Sequence, residues 1–484
     1  MDALSIARAA CEAGVGERAA LIVGGATLTF GDLAGRASGF AAALADLGVA
    51  EGDRVAIRAN NGEPAVLAIL AAIELGAAVV PIHPRLTETE VKVVTDDAEP
   101  RVMLDGRGLA AFARRHRGSA PTGRLIDPER PLAIVYTSGT TGKPKGAVLS
   151  RRAFLASAAA SAENLGFFEH DRWLCCMPIC HVGGLSILTR CLLARRAVIL
   201  EPRFDPEAVL ASVALHRATL LSVVPTMLAA LLERDRAGAL ARLRAILVGG
   251  AAAPLSLLEE CARRGVRALA TYGLTEACSQ VTVQRLAPRE HAEPGSGAPL
   301  PGVEARIVEG SVIAVRGPTL MSGYFRGPGA PLDAAVDEEG FFRTGDLGSF
   351  DEAGNLHVLG RRTDLVVTGG ENVYPLEIEQ RLEAEPGVRR ALVFGVPDAR
   401  WGEVVAAALE LEAGVSLAEV VARASADLAP HKRPRLAGVA TALAVTGPGK
   451  LVRAKASERY ASILGPVAVS PRGLGGSRPG SGRA

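Results

Sequence analysis

The sequence predicts an α/β protein with parallel sheets covered by helices on both faces, followed by a smaller α+β region. Three observations predict this. Over roughly the first 295 residues, apolar runs of strand length alternate with amphipathic runs of helix length. Glycine-rich or polar turns follow several of the apolar runs, at the carboxyl ends of strands where parallel sheets bind ligands. After about residue 295 the pattern changes to shorter strands separated by Gly and Pro.

Taken in order, Leu21 to Val23 and Thr27 to Phe30 flank Gly24-Gly25 and predict a hairpin. Asp32 is placed to cap an Ala-rich helix that runs to Leu47 and ends at Gly48. Arg54 to Arg58 reads as a strand, Glu63 to Leu75 as a helix and Ala77 to Ile82 as a strand. Val66 to Ile82 is the most apolar long stretch, but Glu74 and Gly76 interrupt it, so it reads as a buried helix entering a strand and not as a membrane span. Leu132 to Val135 predicts a buried strand. Thr219 to Val224, Ala245 to Val248 and Arg267 to Tyr272 predict further strands, with helices at Thr226 to Glu233 and Leu255 to Arg264. A strand at Leu365 to Val367 opens the second region. The expected divisions are 1–362, 363–464 and a tail, 465–484, whose Gly, Pro, Ser and Arg content predicts disorder.

The composition narrows the possible functions. The 484 residues are 49% hydrophobic, enough for a large core and more than one domain. Net charge is +2 and aromatics are only 4%, with no basic stripe, which argues against nucleic acid as the main partner. Seven cysteines form no disulfide-like framework and read as reduced thiols in a cytoplasmic protein. Cys176 and Cys180 lack His or Cys partners at zinc-finger spacing. Met1-Asp2-Ala3-Leu4-Ser5 does not begin a signal peptide.

The most informative stretch is Tyr136-Thr137-Ser138-Gly139-Thr140-Thr141-Gly142-Lys143-Pro144-Lys145-Gly146. Glycines let backbone N–H groups approach an anion, hydroxyls donate to it and lysines add positive charge, which is how a protein cradles a polyphosphate. The spacing differs from that of the P-loop nucleotidases.

This loop resembles the signature of the adenylate-forming enzymes: acyl-CoA synthetases, peptide-synthetase adenylation domains and luciferases. The family's other motifs follow in order: Tyr272-Gly273-Leu274-Thr275-Glu276, Thr344 to Gly348, Gly360 to Asp364, Gly369-Gly370-Glu371-Asn372 and Gly447-Pro448-Gly449-Lys450. The resemblance spans about residues 15 to 460. It implies a large N-terminal domain of αβαβα layers and a smaller, mobile α+β C-terminal domain. It also implies a cytoplasmic ligase that uses ATP, Mg²⁺ and CoA to make an acyl-AMP and then a thioester.

The resemblance also assigns roles. Thr137, Ser138, Gly139, Thr140, Thr141, Gly142, Lys143 and Lys145 would hold phosphates. Glu276 offers a hard oxygen to Mg²⁺. Tyr272, with Gly250, Ala251 and Ala252, would enclose the adenine, and Gly273 and Thr275 would also bind the nucleotide. Asp346 and Arg361 would bind the ribose. Lys450 would bridge the carboxylate and α-phosphate, and His181 would gate the acyl site. Gly369 and Gly370 would line the pantetheine tunnel. Thr363 stands where many relatives carry Asp or Lys as a hinge.

Within the family the chain most resembles the o-succinylbenzoate–CoA ligases of menaquinone synthesis. The residues that carry this are His181 to Ser186, Val248 to Gly250, Pro254-Leu255, Leu257 to Cys261, Cys278-Ser279-Gln280 and Gly369 to Pro375. Arg190 would then meet a second substrate carboxylate, with Ser279 and Gln280 bonding its oxygens. Cys180 and Gly183 replace a bulkier residue and a frequent serine. The alternatives are another aryl- or fatty-acyl-CoA ligase, including one that loads a carrier protein, and a catalytically silent nucleotide-binding relative.

Overall fold

The computed structural model describes residues 3–115, 125–137, 144–286, 292–368, 371–398, 401–426, 428–445 and 451–467. The chain divides into two compact units, Met1–Val358 and Leu359–Ala484.

The first unit contains a nine-stranded sheet in the order Ala298–Pro299, Ser279–Val283, Ala268–Leu274, Ala245–Val248, Leu220–Val223, Arg172–Cys175, Ala197–Leu200, Ala19–Val23, Ala26–Thr29. From Ala268–Leu274 to Ala19–Val23 all neighbours are parallel. The central strands Leu220–Val223 and Ala245–Val248 are buried along their whole length, which is why they read as apolar runs without alternation. Ser222 interrupts one of these runs and accepts a hydrogen bond from the Trp173 indole N–H at 3.0 Å. A six-stranded sheet follows the order Gly323–Tyr324, Lys145–Ser150, Pro131–Thr137, Ala78–Ile82, Arg54–Arg58, Val102–Asp105. Glu304–Val308, Val312–Arg316 and Phe342–Phe350 pair antiparallel in a third sheet.

The helix after the first hairpin spans Phe30–Asp46 and begins one turn earlier than the sequence predicts. Thr29, not Asp32, is its N-cap. Asp32 occupies the third helical position, and its carboxylate accepts from the Thr29 N–H at 2.9 Å while its own N–H donates to the Thr29 hydroxyl at 3.0 Å. This reciprocal pairing is a capping box. The helix Glu63–Leu75 has the bounds expected. Its Glu74 is buried but satisfied, accepting from the Ser5 hydroxyl at 2.8 Å and the Ala7 N–H at 3.1 Å. Among the described residues no helix is long and apolar enough to cross a membrane.

The second unit is a small α+β fold. Val388–Asp398 and Gly402–Leu411 form a long antiparallel pair, and Leu436–Val439 adds in parallel. The helices Pro375–Glu383 and Leu417–Ala424 bury Ile378, Leu382, Val420 and Val421 in a core with Val393, Val405 and Leu409. Gly465–Pro466 is an edge strand on Leu436–Val439, and the Val467 N–H donates to the Arg435 carbonyl at 3.0 Å. The sequence predicts disorder from Gly465 onward, but edge pairing uses backbone groups alone and needs no apolar side chain. The rest of that tail, 468–484, lies outside the described residues.

Glu383 is half-buried at the end of its helix and accepts from the Ala391 N–H at 3.1 Å. Burial, reinforced by the charge of Glu379, pushes its carboxyl up to about 7. The folded protein therefore holds a proton that the unfolded chain releases at lower pH. The stability this contributes is complete below the unfolded pKa and is lost as pH rises through about 7. Glu383→Gln should match the parent at about pH 3.5, below the unfolded pKa, and unfold a few degrees higher by pH 8, a gain on the order of 1 kcal/mol. An identical difference at both pH values would contradict this.

Candidate active site

Thr137 ends one strand and Lys145 begins the next, and the two face each other as a pair in the antiparallel ladder. The strand ends on either side of 138–143, the segment expected to hold phosphates, are therefore fixed against each other. The segment's residues Ser138, Gly139, Thr140, Thr141, Gly142 and Lys143 lie outside the described residues, as do Gly369, Gly370 and Lys450. Gly146 is required by packing, because a Cβ there would lie 2.8 Å from Ile134 and 3.0 Å from the Tyr136 ring.

Three segments meet beside this hairpin. The Lys145 ammonium lies 5.1 Å from the centre of the Tyr324 ring. The Tyr324 hydroxyl donates to Glu276 Oε1 at 2.9 Å, and the Met321 N–H donates to the Glu276 carbonyl at 2.8 Å. Tyr324 is a residue that the sequence reading missed. It sits on the short strand Gly323–Tyr324, which pairs with Ala147 and Val148. Gly323-Tyr324-Phe325 was the available signal, but the partner Glu276 is 48 residues away. The half-buried Glu276 carboxylate takes this hydroxyl and forms no ion pair among the described residues. It keeps free lone pairs beside a lysine-bearing hairpin, which fits a Mg²⁺ ligand.

The strand register brings together residues that the sequence predicts to bind nucleotide. Val248 pairs with Ala270, so Gly250 and Tyr272, two residues further along their parallel strands, emerge side by side. Gly249 admits no side chain, since a Cβ would lie 2.8 Å from Thr271 Cγ2, and Gly250 adopts a φ of +79°. Ala251 and Ala252 continue this turn. The Tyr272 hydroxyl donates to Asp346 Oδ2 at 2.8 Å, and both residues are buried. The Asp346 N–H donates to the Thr344 hydroxyl at 3.1 Å, and that hydroxyl donates to the Ile313 carbonyl at 2.9 Å. Arg361 is exposed and belongs to the second unit.

After Tyr272 the chain makes a tight reversal. A Cβ on Gly273 would stand 1.7 Å from the Ser279 carbonyl oxygen. The 3₁₀ turn Thr275–Ala277 lies between them, and Cys278 and Ser279 take φ values of +50° and +93°. Two consecutive non-glycine residues in this region store strain, which is common where a backbone serves a ligand site.

Arg190 reaches the same reversal from the helix Val182–Ala194. It is 3% exposed. One Nη donates to the Ser157 hydroxyl at 3.2 Å, which in turn donates to the Cys278 carbonyl at 2.8 Å. The guanidinium carbon lies 5.8 Å from the centre of the Trp173 ring. Burial lowers its pKa to about 10, so it remains charged at neutral pH. Its Nε–H is buried without a hydrogen-bond acceptor, and among the described residues no carboxylate pairs with it. The side-chain oxygen of the neighbouring buried Gln280 likewise lacks a donor.

His181 precedes this helix and packs on His83, with ring centres 5.5 Å apart, whereas Arg190 packs on Trp173. Gly184 is dictated by close approach, since a Cβ would lie 2.4 Å from the Pro178 carbonyl. Asn61, also missed by the sequence reading, fixes this segment. Its amide donates to the Met177 carbonyl at 2.9 Å and its oxygen accepts from the Ile179 N–H at 2.9 Å. Potential ligand atoms of His83, Cys180 and His181 lie within 4.8 Å of one another. The His83 Nδ1 accepts from the Arg85 N–H at 3.1 Å, which places the neutral ring's proton on Nε2. Burial pushes the Cys180 thiol up to about 12. An ion bound here would have to displace the thiol proton. Tyr324→Phe removes the hydroxyl on Glu276 and should raise the Mg²⁺ concentration needed for half-maximal activity ~5-fold, with little change in melting temperature. An unchanged Mg²⁺ dependence would remove Tyr324 from the site.

Residues 7–325 match the family model described as AMP-binding enzyme, and residues 377–450 match that of the AMP-binding enzyme C-terminal domain. A 2-succinylbenzoate–CoA ligase from Bacillus licheniformis is 37% identical over 470 residues, covering 91% of this chain and 96% of that protein. One from Listeria monocytogenes is 34% identical, covering 91% and 96%. Among solved structures, the o-succinylbenzoate CoA synthetase of Bacillus subtilis in complex with the acyl-adenylate intermediate OSB-AMP is similar with a TM-score of 0.84 and 33% identity, covering 93% of this chain and 97% of that one. ATP-bound MatB of Rhodopseudomonas palustris is similar with a TM-score of 0.86 and 31% identity, covering 95% and 99%. The chain belongs to the AMP-binding enzyme family.

Proposed function

We propose that the protein is an ATP-dependent acid–CoA ligase acting on o-succinylbenzoate in menaquinone biosynthesis, in the cytoplasm. The observation that carries the substrate assignment is Arg190, a buried cation with a free donor and no carboxylate of its own among the described residues. A buried charge is costly unless it is paired. A substrate with a second carboxylate would complete the pair. The similar 2-succinylbenzoate–CoA ligases support the same acid.

The proposed reaction has two halves. A carboxylate oxygen attacks the α-phosphorus of ATP, the bond to the pyrophosphate oxygen breaks and pyrophosphate leaves. The CoA thiol then gives up its proton to solvent, its sulfur attacks the acyl carbon, and AMP leaves. In the first half Thr137, Lys145 and the loop Ser138–Lys143 hold the phosphates, Tyr272 and Asp346 with Gly250 to Ala252 orient the nucleoside, and Lys450 offsets charge between carboxylate and α-phosphate. Glu276 would hold Mg²⁺, which when bound would supply charge neutralisation. His181 stands at the acyl entrance, and Gly369-Gly370 gives the pantetheine arm a passage.

The test is incubation with ATP, Mg²⁺, CoA and a panel of acids, with thioesters read by mass. A dominant o-succinylbenzoyl-CoA product is expected. Thioesters from other aryl or fatty acids only would keep the ligase and discard this acid, and no product from any acid would favour a silent relative. Lys450→Ala should reduce adenylation ~100-fold or more while CoA transfer from supplied acyl-AMP stays within a few-fold. Equal losses in both halves would contradict the role of Lys450. Arg190→Lys and Arg190→Ala should raise KM for the dicarboxylic acid about 10- to 100-fold and leave a monocarboxylic acid little changed. A uniform loss would place Arg190 in the core only.

A further inference from the structure

The second unit contains a charge cluster that the reaction described above does not use. Arg453 Nη1 donates to Asp364 Oδ2 at 3.0 Å, its Nη2 donates to Glu379 Oε2, and its Nε donates to the Val393 carbonyl at 3.2 Å. The other oxygen of Glu379 accepts from the Val393 N–H at 2.7 Å, and Glu379 is 3% exposed. Burial works against the Arg453 cation, but the two carboxylates outweigh it and raise its pKa.

The segments that Arg453 joins make this cluster informative. Asp364 closes the 3₁₀ turn Arg362–Asp364, which directly follows the strand Leu356–Arg361. Arg453 lies three residues after Lys450. Val445 and Leu451, which flank 446–450, pair as an antiparallel bridge, and the Val452 N–H donates to the Ala444 carbonyl at 2.9 Å. The base of the Lys450 segment is thus pinned to itself and, through a forked guanidinium, to the turn that follows Arg361. A fork with two carboxylates fixes direction as well as distance, which a single ammonium cannot do.

We propose that Arg453 is a positioning residue for adenylation: through Asp364 and Glu379 it sets where the base of the Lys450 segment stands. This rests on the assignment of Lys450 to the first half-reaction. It does not require Arg453 to touch any substrate.

Arg453→Ala would strand the buried Glu379 and risks misfolding. The informative variant is Asp364→Asn, which leaves the Glu379 pair intact, with Arg453→Lys as its companion. Each is measured for acid-dependent ATP–pyrophosphate exchange, for CoA transfer from supplied acyl-AMP, and for melting temperature, alone and combined with Lys450→Ala. Asp364→Asn should lower the exchange kcat ~10- to 100-fold with KM for ATP and acid nearly unchanged. CoA transfer and melting temperature should hold, and in the Lys450→Ala background there should be no further loss. Equal loss in both half-reactions, additive loss on top of Lys450→Ala, or no loss would overturn the proposal. If Lys450→Ala alone spares exchange, the failure lies in the Lys450 assignment. If Lys450→Ala is impaired and Asp364→Asn is not, the failure lies in the positioning role.

Discussion

The candidate site depends on one close approach, the backbone of Gly273 running against the Ser279 carbonyl where a Cβ would be 1.7 Å away. No other residue allows the strand Ala268–Leu274 to turn back on itself so tightly. The reversal between these two residues is a common anchor for three functions. Tyr272 on the incoming strand holds Asp346 at 2.8 Å. Glu276 in the turn meets Tyr324 and, through that ring, Lys145 at the base of the phosphate hairpin. The Cys278 carbonyl on the outgoing side receives the Ser157 hydroxyl that positions Arg190. The groups proposed for ribose, metal and second carboxylate are thereby tied to about nine residues of backbone.

This arrangement carries a cost in strain and unsatisfied polarity. Cys278 and Ser279 hold positive φ values, and Arg190 and Gln280 each leave a buried polar atom without a partner. A buried donor without an acceptor costs about 1–3 kcal/mol, so such atoms persist where a ligand completes them. Glu74, in the same unit, is buried and paired with Ser5 and Ala7.

Much of the fold was legible in the sequence because the central strands are buried on both faces and read as unbroken apolar runs. Ala245–Val248 and Glu63–Leu75 have the bounds their patterns predict. The Phe30–Asp46 helix starts earlier than expected because Thr29 and Asp32 are both good capping residues three positions apart, and only the hydrogen bonds reveal which one caps. The residues proposed to bind nucleotide stand out as motifs, since each motif is local in sequence. Tyr324, Asn61 and Arg453 do not. Their partners lie 48, 116 and 89 residues away, and a lone Tyr, Asn or Arg has no local pattern to set it apart.

The most direct test of the account follows an oxygen atom. Succinyl-carboxylate-labelled [¹⁸O]o-succinylbenzoate would be turned over with ATP, Mg²⁺ and CoA, and the released AMP weighed. If the carboxylate attacks the α-phosphorus, AMP must leave with one oxygen-18 from the acid, and the thioester must keep the other. Unlabelled AMP, or label appearing in inorganic phosphate, would contradict an acyl-adenylate route and with it the roles given to the residues around Gly273.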